Sequence, residues 1–153
     1  MKQLKITLLF LIINFGGLAF GSWLMDSGPL SDWYTNLNQA PWTPPGIVFG
    51  IAWTFIMVCF SIYLGKLFTV ENTIENKIAF LIQFILNLSW NYIFFNKHLV
   101  LTALITILLL TTLLFVYFLK LSSKTLYYKY LLLPYIIWLC IATSLNLYIL
   151  IHN

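Results

Sequence analysis

The chain contains 153 residues, of which 61% are hydrophobic and only 8% are charged, and its formal net charge is +4. A mean hydropathy of +0.93 excludes a water-soluble globular domain and predicts an integral membrane protein. Because the charged side chains cluster at a few places, the long uncharged intervals between them are candidate membrane spans.

Five such intervals occur, and each is long enough as an α-helix to cross about 30 Å of hydrocarbon. The sequence therefore predicts an all-α membrane protein, a five-transmembrane-helix bundle with a structured loop between helices 1 and 2. Its single domain covers residues 1–153, with helices at about 5–25, 46–66, 77–95, 99–120 and 128–151 and the loop at 26–45. Too little chain is left for a separate core, so function must lie in the bundle or its loops.

The first span follows two lysines, a pattern that signal peptides share. Its apolar run continues to Met25, which is longer than the core of a usual signal peptide, so we expect a retained membrane helix. All eight basic residues of the chain are lysines, and only Lys97 lies on the side of loop 26–45. By the positive-inside rule, the N-terminus is expected in the cytoplasm, and the C-terminus and loop 26–45 are expected outside.

Loop 26–45 combines aromatic side chains with a rigid backbone. Trp33, Tyr34 and Trp42 lie in it, and from Ser31 onward it contains three prolines, of which Pro41 is the first. Because proline restricts the backbone, the loop has few conformations to lose and is predicted to form a lid over the outward end of the bundle. A helix entry with an interfacial aromatic anchor would also explain the prolines, but it leaves the adjacent Trp33 and Tyr34 unexplained.

No ionisable side chain is expected at membrane depth. The acidic residues and histidines lie in loops or at span ends: Asp26, Asp32, Glu71, Glu75, His98 and His152. Proton-driven pumps and ion-coupled carriers generally need such groups inside the membrane. The chain also lacks a zinc-site spacing, a phosphate-binding loop and a Ser-His-Asp set, so no metal, no required cofactor and no ordinary hydrolytic chemistry are expected. Membrane topology accounts for the positive charge, and no nucleic-acid partner is needed to explain it.

Tryptophans and uncharged polar residues recur at helical spacing inside the spans. In the third span, Gln83, Asn87 and Trp90 share one face of the helix. The corresponding stripes of the second and fifth spans are formed by Phe49 and Trp53, and by Trp138, Ala142 and Leu145.

The indole rings of Trp53, Trp90 and Trp138 lie well inside their spans, where an indole N–H must find a partner or a ligand. Three helices that each contribute such a ring predict an aromatic-walled cavity in which amide groups orient a ligand. The alternative is that the amide stripe serves only for hydrogen bonds between helices, each worth about 0.6–2 kcal/mol in a bilayer.

The order of these motifs resembles the signature of the TspO/MBR family, which comprises bacterial tryptophan-rich sensory proteins and the mitochondrial translocator protein. The resemblance rests on three runs: Trp33-Tyr34, Leu37, Pro41, Trp42, Pro44-Pro45, Phe49 and Trp53; Gln83, Asn87, Trp90 and Phe94-Phe95; and Pro134-Tyr135, Trp138, Ala142-Thr143 and Leu145-Asn146. It covers nearly the whole chain, and several ordered motifs at matching intervals make it specific.

The resemblance implies a pocket beneath the first loop that binds tetrapyrroles, notably protoporphyrin IX, and benzodiazepine or isoquinoline-type ligands. Such binding would serve porphyrin sequestration, sensing or degradation. The pocket residues implied are Tyr34, Trp53, Asn87, Trp138 and Ala142, and the lid residues are Trp33, Pro41 and Trp42. The helical stripes add Phe49, Gln83, Trp90 and Leu145 to the expected ligand-binding set. Trp53 and Trp138 also match two tryptophans implicated in light- and oxygen-dependent protoporphyrin breakdown by some bacterial members.

The protein is expected in a bacterial cell membrane, embedded in the lipid bilayer. Because members of the family can form homodimers, a second copy of the chain is a further expected partner. Small-xxx-small pairs occur at Gly17/Gly21 and Gly46/Gly50, but they do not single out one helix as the dimer interface. The basic residue of the sterol pattern in animal members is missing near Asn153, so sterol binding is not expected. Transport of tetrapyrroles or other amphipathic solutes is the alternative function, and the odd number of spans and the lack of coupling residues argue against it.

Overall fold

The computed structural model describes residues 1–121 and 124–153. This part of the chain is all-helical, and five of its helices are long and apolar enough, by length and composition, to cross a membrane. The predicted fold class is therefore confirmed. The five spans are Lys2–Leu30, Gly46–Val70, Ile74–Asn96, Val100–Leu121 and Leu126–His152.

The α-helices are numbered here in chain order. They are α1 (Lys2–Leu24), α2 (Asp32–Thr35), α3 (Gly46–Val70), α4 (Ile74–Asn91), α5 (Val100–Val116) and α6 (Leu133–His152). Four of the five spans are longer than the corresponding helices because of additional turns: a 3₁₀ turn at Gly28–Leu30, π-helical turns at Tyr92–Asn96 and Tyr117–Leu121, and a 3₁₀ helix at Leu126–Leu132. Compared with the predicted bounds, α1 begins before residue 5, α3 continues past residue 66, and loop 26–45 contains the short helix α2.

Local sequence explains where several helices begin. The hydroxyl oxygen of Ser31 accepts a hydrogen bond from the backbone N–H of Tyr34 (3.2 Å) and caps α2. The hydroxyl oxygen of Thr73 accepts one from the backbone N–H of Asn76 (3.3 Å) and caps α4 in the same way. Pro45 directly precedes α3, where its missing N–H costs no helical hydrogen bond.

Helices α1 and α3 pack closely in the far half of the bundle, the half that lies away from loop 26–45. Gly65 of α3 lies against the side chain of Thr7, and a Cβ atom at Gly65 would overlap it. Next to this contact, the buried Asn14 amide donates a hydrogen bond to Ser61 Oγ (2.8 Å). The absence of a side chain at Gly65 thus allows the two backbones to approach each other.

In the loop half, the half next to loop 26–45, α1 leans toward α4 instead. A Cβ atom on Gly17 would lie 2.6 Å from the ring of Phe84, and one on Gly21 would lie 2.9 Å from the amide nitrogen of Asn91. The close contacts of α1 therefore pass from α3 to α4 along its length.

The far half is filled by large side chains. Phe60, Tyr63 and Leu64 of α3 have no exposed surface, and neither has Tyr117 at the end of α5. The rings of Phe60 and Tyr63 pack edge-on against Tyr117, with centroid distances of 6.4 and 6.1 Å. By contrast, residues 46–55 at the start of α3 are exposed or half-buried, so the loop half of this helix is less tightly packed than its far half.

The first helix begins on the side of the bundle opposite loop 26–45, whereas the C-terminal residues lie beside that loop. This arrangement agrees with an odd number of spans. Which of the two faces meets the cytoplasm stays a prediction from the lysine count, and so does the homodimer.

Replacement of Gly65 by alanine is expected to lower the free energy of unfolding by about 1–3 kcal/mol, because the new methyl group overlaps Thr7. Gly16 provides a matched control, since nothing lies within 4 Å of a Cβ atom placed there. The same substitution at Gly16 should be neutral or stabilise the helix by up to about 1 kcal/mol. Denaturant unfolding in detergent micelles measures both variants, and equal effects would contradict the close contact between α1 and α3.

Candidate functional site

A cavity of about 530 Å³ occupies the loop half of the bundle. Its walls come from α1, α3, α4, α5 and α6, and Tyr34, Gln39, Thr43 and Pro44 of loop 26–45 cover part of it. The lining residues in the described part of the chain include no Asp, Glu, Lys or His. The volume falls within the range of about 300–1,000 Å³ that is typical of small-molecule sites.

Three indole rings from three helices line this cavity: Trp53 of α3, Trp90 of α4 and Trp138 of α6. Each indole packs against another aromatic ring, and such pairs hold the orientation of both partners. The partners and centroid distances are Tyr135 for Trp53 (edge-on, 5.7 Å), Phe94 for Trp90 (stacked, 5.3 Å) and Phe49 for Trp138 (edge-on, 5.2 Å). These contacts restrict the orientations of the three indole rings in the cavity wall.

The amides of α4 bind a single hydroxyl group on α6. Gln83 Nε2 and Asn87 Nδ2 both donate to the hydroxyl oxygen of the fully buried Tyr135, at 3.0 and 2.8 Å. The indole N–H of Trp90 donates to Asn146 Oδ1 at 3.2 Å. The interpretation of this stripe as interhelical hydrogen bonding is therefore correct for these residues, although Gln83, Asn87 and Trp90 also line the cavity.

Polar groups of the cavity wall that have no hydrogen-bond partner within residues 1–121 and 124–153 include the following three. The first is the carbonyl oxygen Oε1 of Gln83, a side chain that is only 2% exposed. The others are the indole N–H groups of Trp53 and Trp138, for which only ring contacts are formed. An acceptor and two donors are thus available to a bound molecule.

The structure brings together most of the expected ligand-binding residues. Those that line the cavity are Tyr34, Phe49, Trp53, Gln83, Asn87, Trp90, Trp138 and Ala142. Those that lie outside its lining are Trp33, Pro41, Trp42 and Leu145. Leu145 is buried in the core between helices, and the other three belong to loop 26–45.

Two tryptophans anchor loop 26–45 to neighbouring elements. The ring of Trp33 stacks on His98 with a centroid distance of 4.0 Å and an interplanar angle of 10°. The indole N–H of Trp42 donates to Ser144 Oγ at 3.2 Å, and its ring packs edge-on against Tyr148 at 5.4 Å. These residues therefore hold the cover of the cavity rather than contact its interior.

Backbone and amide hydrogen bonds tie the same loop to the end of α6. The backbone N–H of Asn38 donates to Asn153 Oδ1 (2.9 Å), and its side chain donates to the carbonyl oxygen of His152 (3.0 Å). Tyr34, which turns its ring toward the cavity, is partly buried, and this burial raises the pKa of its phenol above the usual value. The covering ring is thus a neutral phenol at physiological pH.

Asn14 and Tyr135 were not among the expected site residues, although both shape the cavity region. Asn14 is the one amide residue between residues 5 and 25, so its need for a partner within the bundle was visible in the sequence. Tyr135 lies three residues before Trp138 and hence on the same helical face. Its hydroxyl group accepts hydrogen bonds from two residues of α4 because α4 lies opposite. The spacing of residues within α6 does not indicate which helix lies there.

The model of the TspO/MBR family matches residues 9–152. The tryptophan-rich protein TspO of Archaeoglobus fulgidus is 31% identical over 157 residues, which cover 100% of this chain and 97% of the relative. The protein of the same name from Chlorobaculum tepidum is 30% identical over 149 residues (95% and 91%). The tryptophan-rich sensory protein of Cereibacter sphaeroides is 28% identical over 115 residues (75% and 73%).

Replacement of Tyr135 by phenylalanine is expected to lower the free energy of unfolding by about 1–3 kcal/mol, because the buried amides of Gln83 and Asn87 lose their acceptor. Tyr127 is 83% exposed, so its replacement by phenylalanine serves as the control and should have little effect. Unfolding of both variants in micelles gives the comparison. A Tyr135→Phe variant as stable as the control would show that the two amides do not depend on this hydroxyl group.

Proposed function

Because the chain belongs to the TspO/MBR family, we propose that it binds tetrapyrroles, with protoporphyrin IX as the expected ligand, in the cavity beneath loop 26–45. Benzodiazepine and isoquinoline-type molecules share the required properties of flat rings and a largely apolar surface. The observation that carries the proposal is the convergence of Trp53, Trp90 and Trp138 on one cavity whose lining has no charged side chain.

Flat aromatic walls favour a flat aromatic ligand. Each aromatic contact contributes about 0.5–1.5 kcal/mol beyond the area that it buries. The rings of Trp53 and Trp138 are already oriented by Tyr135 and Phe49, so little side-chain freedom is lost when a ligand binds. Preorganisation of this kind supports tight binding of a rigid molecule.

The unpaired polar groups match the chemistry of a porphyrin. Gln83 Oε1 is a buried acceptor, and a free-base porphyrin carries pyrrole N–H donors at its centre. The indole N–H groups of Trp53 and Trp138 are donors, and the edge of protoporphyrin carries carboxylates that accept hydrogen bonds. A ligand that pairs these groups removes the cost of leaving buried Gln83 unsatisfied.

Binding is favoured over transport because the cavity lies in one half of the bundle. In the far half, Phe60, Tyr63 and Leu64 are fully buried against Tyr117. A solute the size of a tetrapyrrole would have to separate this core to cross the membrane, and among the described residues no Asp, Glu, Lys or His that could couple such a change to an ion is buried.

Replacement of Trp138 by leucine is expected to weaken protoporphyrin IX binding about tenfold, because loss of one ring contact removes on the order of 1.4 kcal/mol. Trp23 is 73% exposed on α1 and does not line the cavity, so Trp23→Leu is the matched control and should bind normally. Titration of the purified protein, followed in the porphyrin absorbance, gives both affinities. Equal affinities of the two variants would refute binding at this site.

A second candidate function is breakdown of bound protoporphyrin in light, with dioxygen as the oxidant. The observation that favours it is the position of Trp53 and Trp138, whose rings lie in the wall of the same cavity with free N–H groups. Indole rings next to an excited porphyrin are able to exchange electrons with it, whereas phenylalanine rings are far harder to oxidise.

The double variant Trp53→Phe, Trp138→Phe keeps aromatic walls and is expected to bind porphyrin while losing most light-dependent product formation. The rate of appearance of a new absorbing product is measured under illumination and oxygen, normalised to bound porphyrin, with a dark sample and Trp23→Phe as controls. Undiminished product formation by the double variant would rule out a catalytic role for these two residues and would leave binding as the function.

A further inference from the structure

The exposed part of the cavity lining lies on one side of the bundle. The lining residues that are exposed are Ser22, Pro29, Leu30, Gly46, Gly50 and Thr54. All of them belong to α1, α3 or the Gly28–Leu30 turn, and the lining residues on α4, α5 and α6 are buried or half-buried. The cavity therefore opens on the side formed by α1, the Gly28–Leu30 turn and the start of α3, and we call this opening the side mouth.

The side mouth exists because α1 and α3 separate in the loop half. Gly65 and Ser61 of α3 contact α1 in the far half, and Gly50 and Thr54 continue the same stripe at helical spacing. In the loop half α1 leans on α4, and nothing lies within 4 Å of a Cβ atom placed on Gly50. The stripe of α3 that contacts α1 in the far half is therefore open in the loop half.

The rim of the side mouth suits hydrocarbon. Gly50 and Thr54 lie about 6 and 12 Å along α3 from its first residue, which places them within the apolar span. The hydroxyl groups on the rim are already satisfied, since Thr54 Oγ1 donates to the Gly50 carbonyl oxygen (2.8 Å) and Ser22 Oγ to that of Leu18 (3.0 Å). Such backbone-paired hydroxyls present no free polar group to lipid.

The other approaches to the cavity are obstructed. At the loop end of the bundle, loop 26–45 is held by hydrogen bonds of Trp42 to Ser144 and of Asn38 to Asn153. At the opposite end of the bundle, the packed core around Phe60 fills the far half. A ligand that uses the side mouth needs neither the hydrogen bonds of the loop to break nor the core of the far half to separate.

We propose that the ligand enters and leaves the cavity sideways, from the hydrocarbon layer, through the side mouth, with Gly50 as its threshold. This inference rests on the proposed function for the identity of the ligand. A flat, largely apolar ligand partitions into the bilayer and becomes concentrated there, and it passes over Gly50 edge first because nothing lies within 4 Å of a Cβ atom placed at that residue.

The test compares Gly50→Phe with Gly16→Phe in lipid nanodiscs, using stopped-flow binding of protoporphyrin IX. Both glycines have open surroundings, but Gly16 lies half a turn around α1 from Thr7 and does not line the cavity. In Gly50→Phe the association and dissociation rates should both fall about tenfold or more, while Kd changes less than about threefold. Gly16→Phe should keep both rates.

Two results would overturn the proposal. Unchanged rates in Gly50→Phe would show that the ligand uses another route. Faster dissociation with unchanged association would show that Gly50 is only part of the binding wall.

A second measurement does not depend on tetrapyrrole binding. In a Cys59→Ser, Cys140→Ser background, Ala142→Cys places a thiol in the cavity wall, and its reaction with lipid-soluble N-phenylmaleimide is timed. Added Gly50→Phe should slow labelling about tenfold or more, and added Trp42→Ala, which releases a tie of the cover, should leave the rate unchanged. Labelling that Gly50→Phe does not slow would overturn the side entry. Slowed labelling in a protein that binds no protoporphyrin IX would preserve the side entry and refute the proposed ligand.

Discussion

The walls of the cavity depend on one hydroxyl group, that of Tyr135. Hydrocarbon offers no hydrogen-bond partners, so the amide N–H groups of Gln83 and Asn87 need acceptors within the bundle, and both donate to this oxygen. The two bonds link α4 to α6, the helices that carry Trp90 and Trp138. The hydrogen bonds between the helices therefore also position the aromatic side chains that form the walls of the cavity.

Much of the architecture could be predicted from the sequence because it follows from single helices. Charged groups avoid hydrocarbon, so their spacing marked five spans, and the structure has five helices of that kind in its described part. Residues four apart share a helical face, so the stripes indicated that Trp53, Trp90 and Trp138 would face inward together. The cavity lining contains all three.

Contacts between helices could not be predicted in this way, because they depend on which faces meet. Gly50 and Gly65 look alike in the sequence of α3, yet one lies in open space and the other against Thr7. Trp42 was expected to contact a ligand, whereas its indole pairs with Ser144, a residue that no spacing places opposite the loop. Helix crossing angles decide these outcomes, and they emerge only when all side chains are packed together.

The π-helical turn Tyr92–Asn96 makes the cover of the cavity sensitive to the number of residues as well as to their identity. In this turn Phe94 and Phe95 are both buried, and Trp33 packs on the former while Tyr34 packs on the latter. Deletion of one residue would let the α-helical ladder resume and rotate the following chain by about 100°. Insertions and deletions, which helix ends commonly absorb, would therefore disturb this site more than a conservative replacement would.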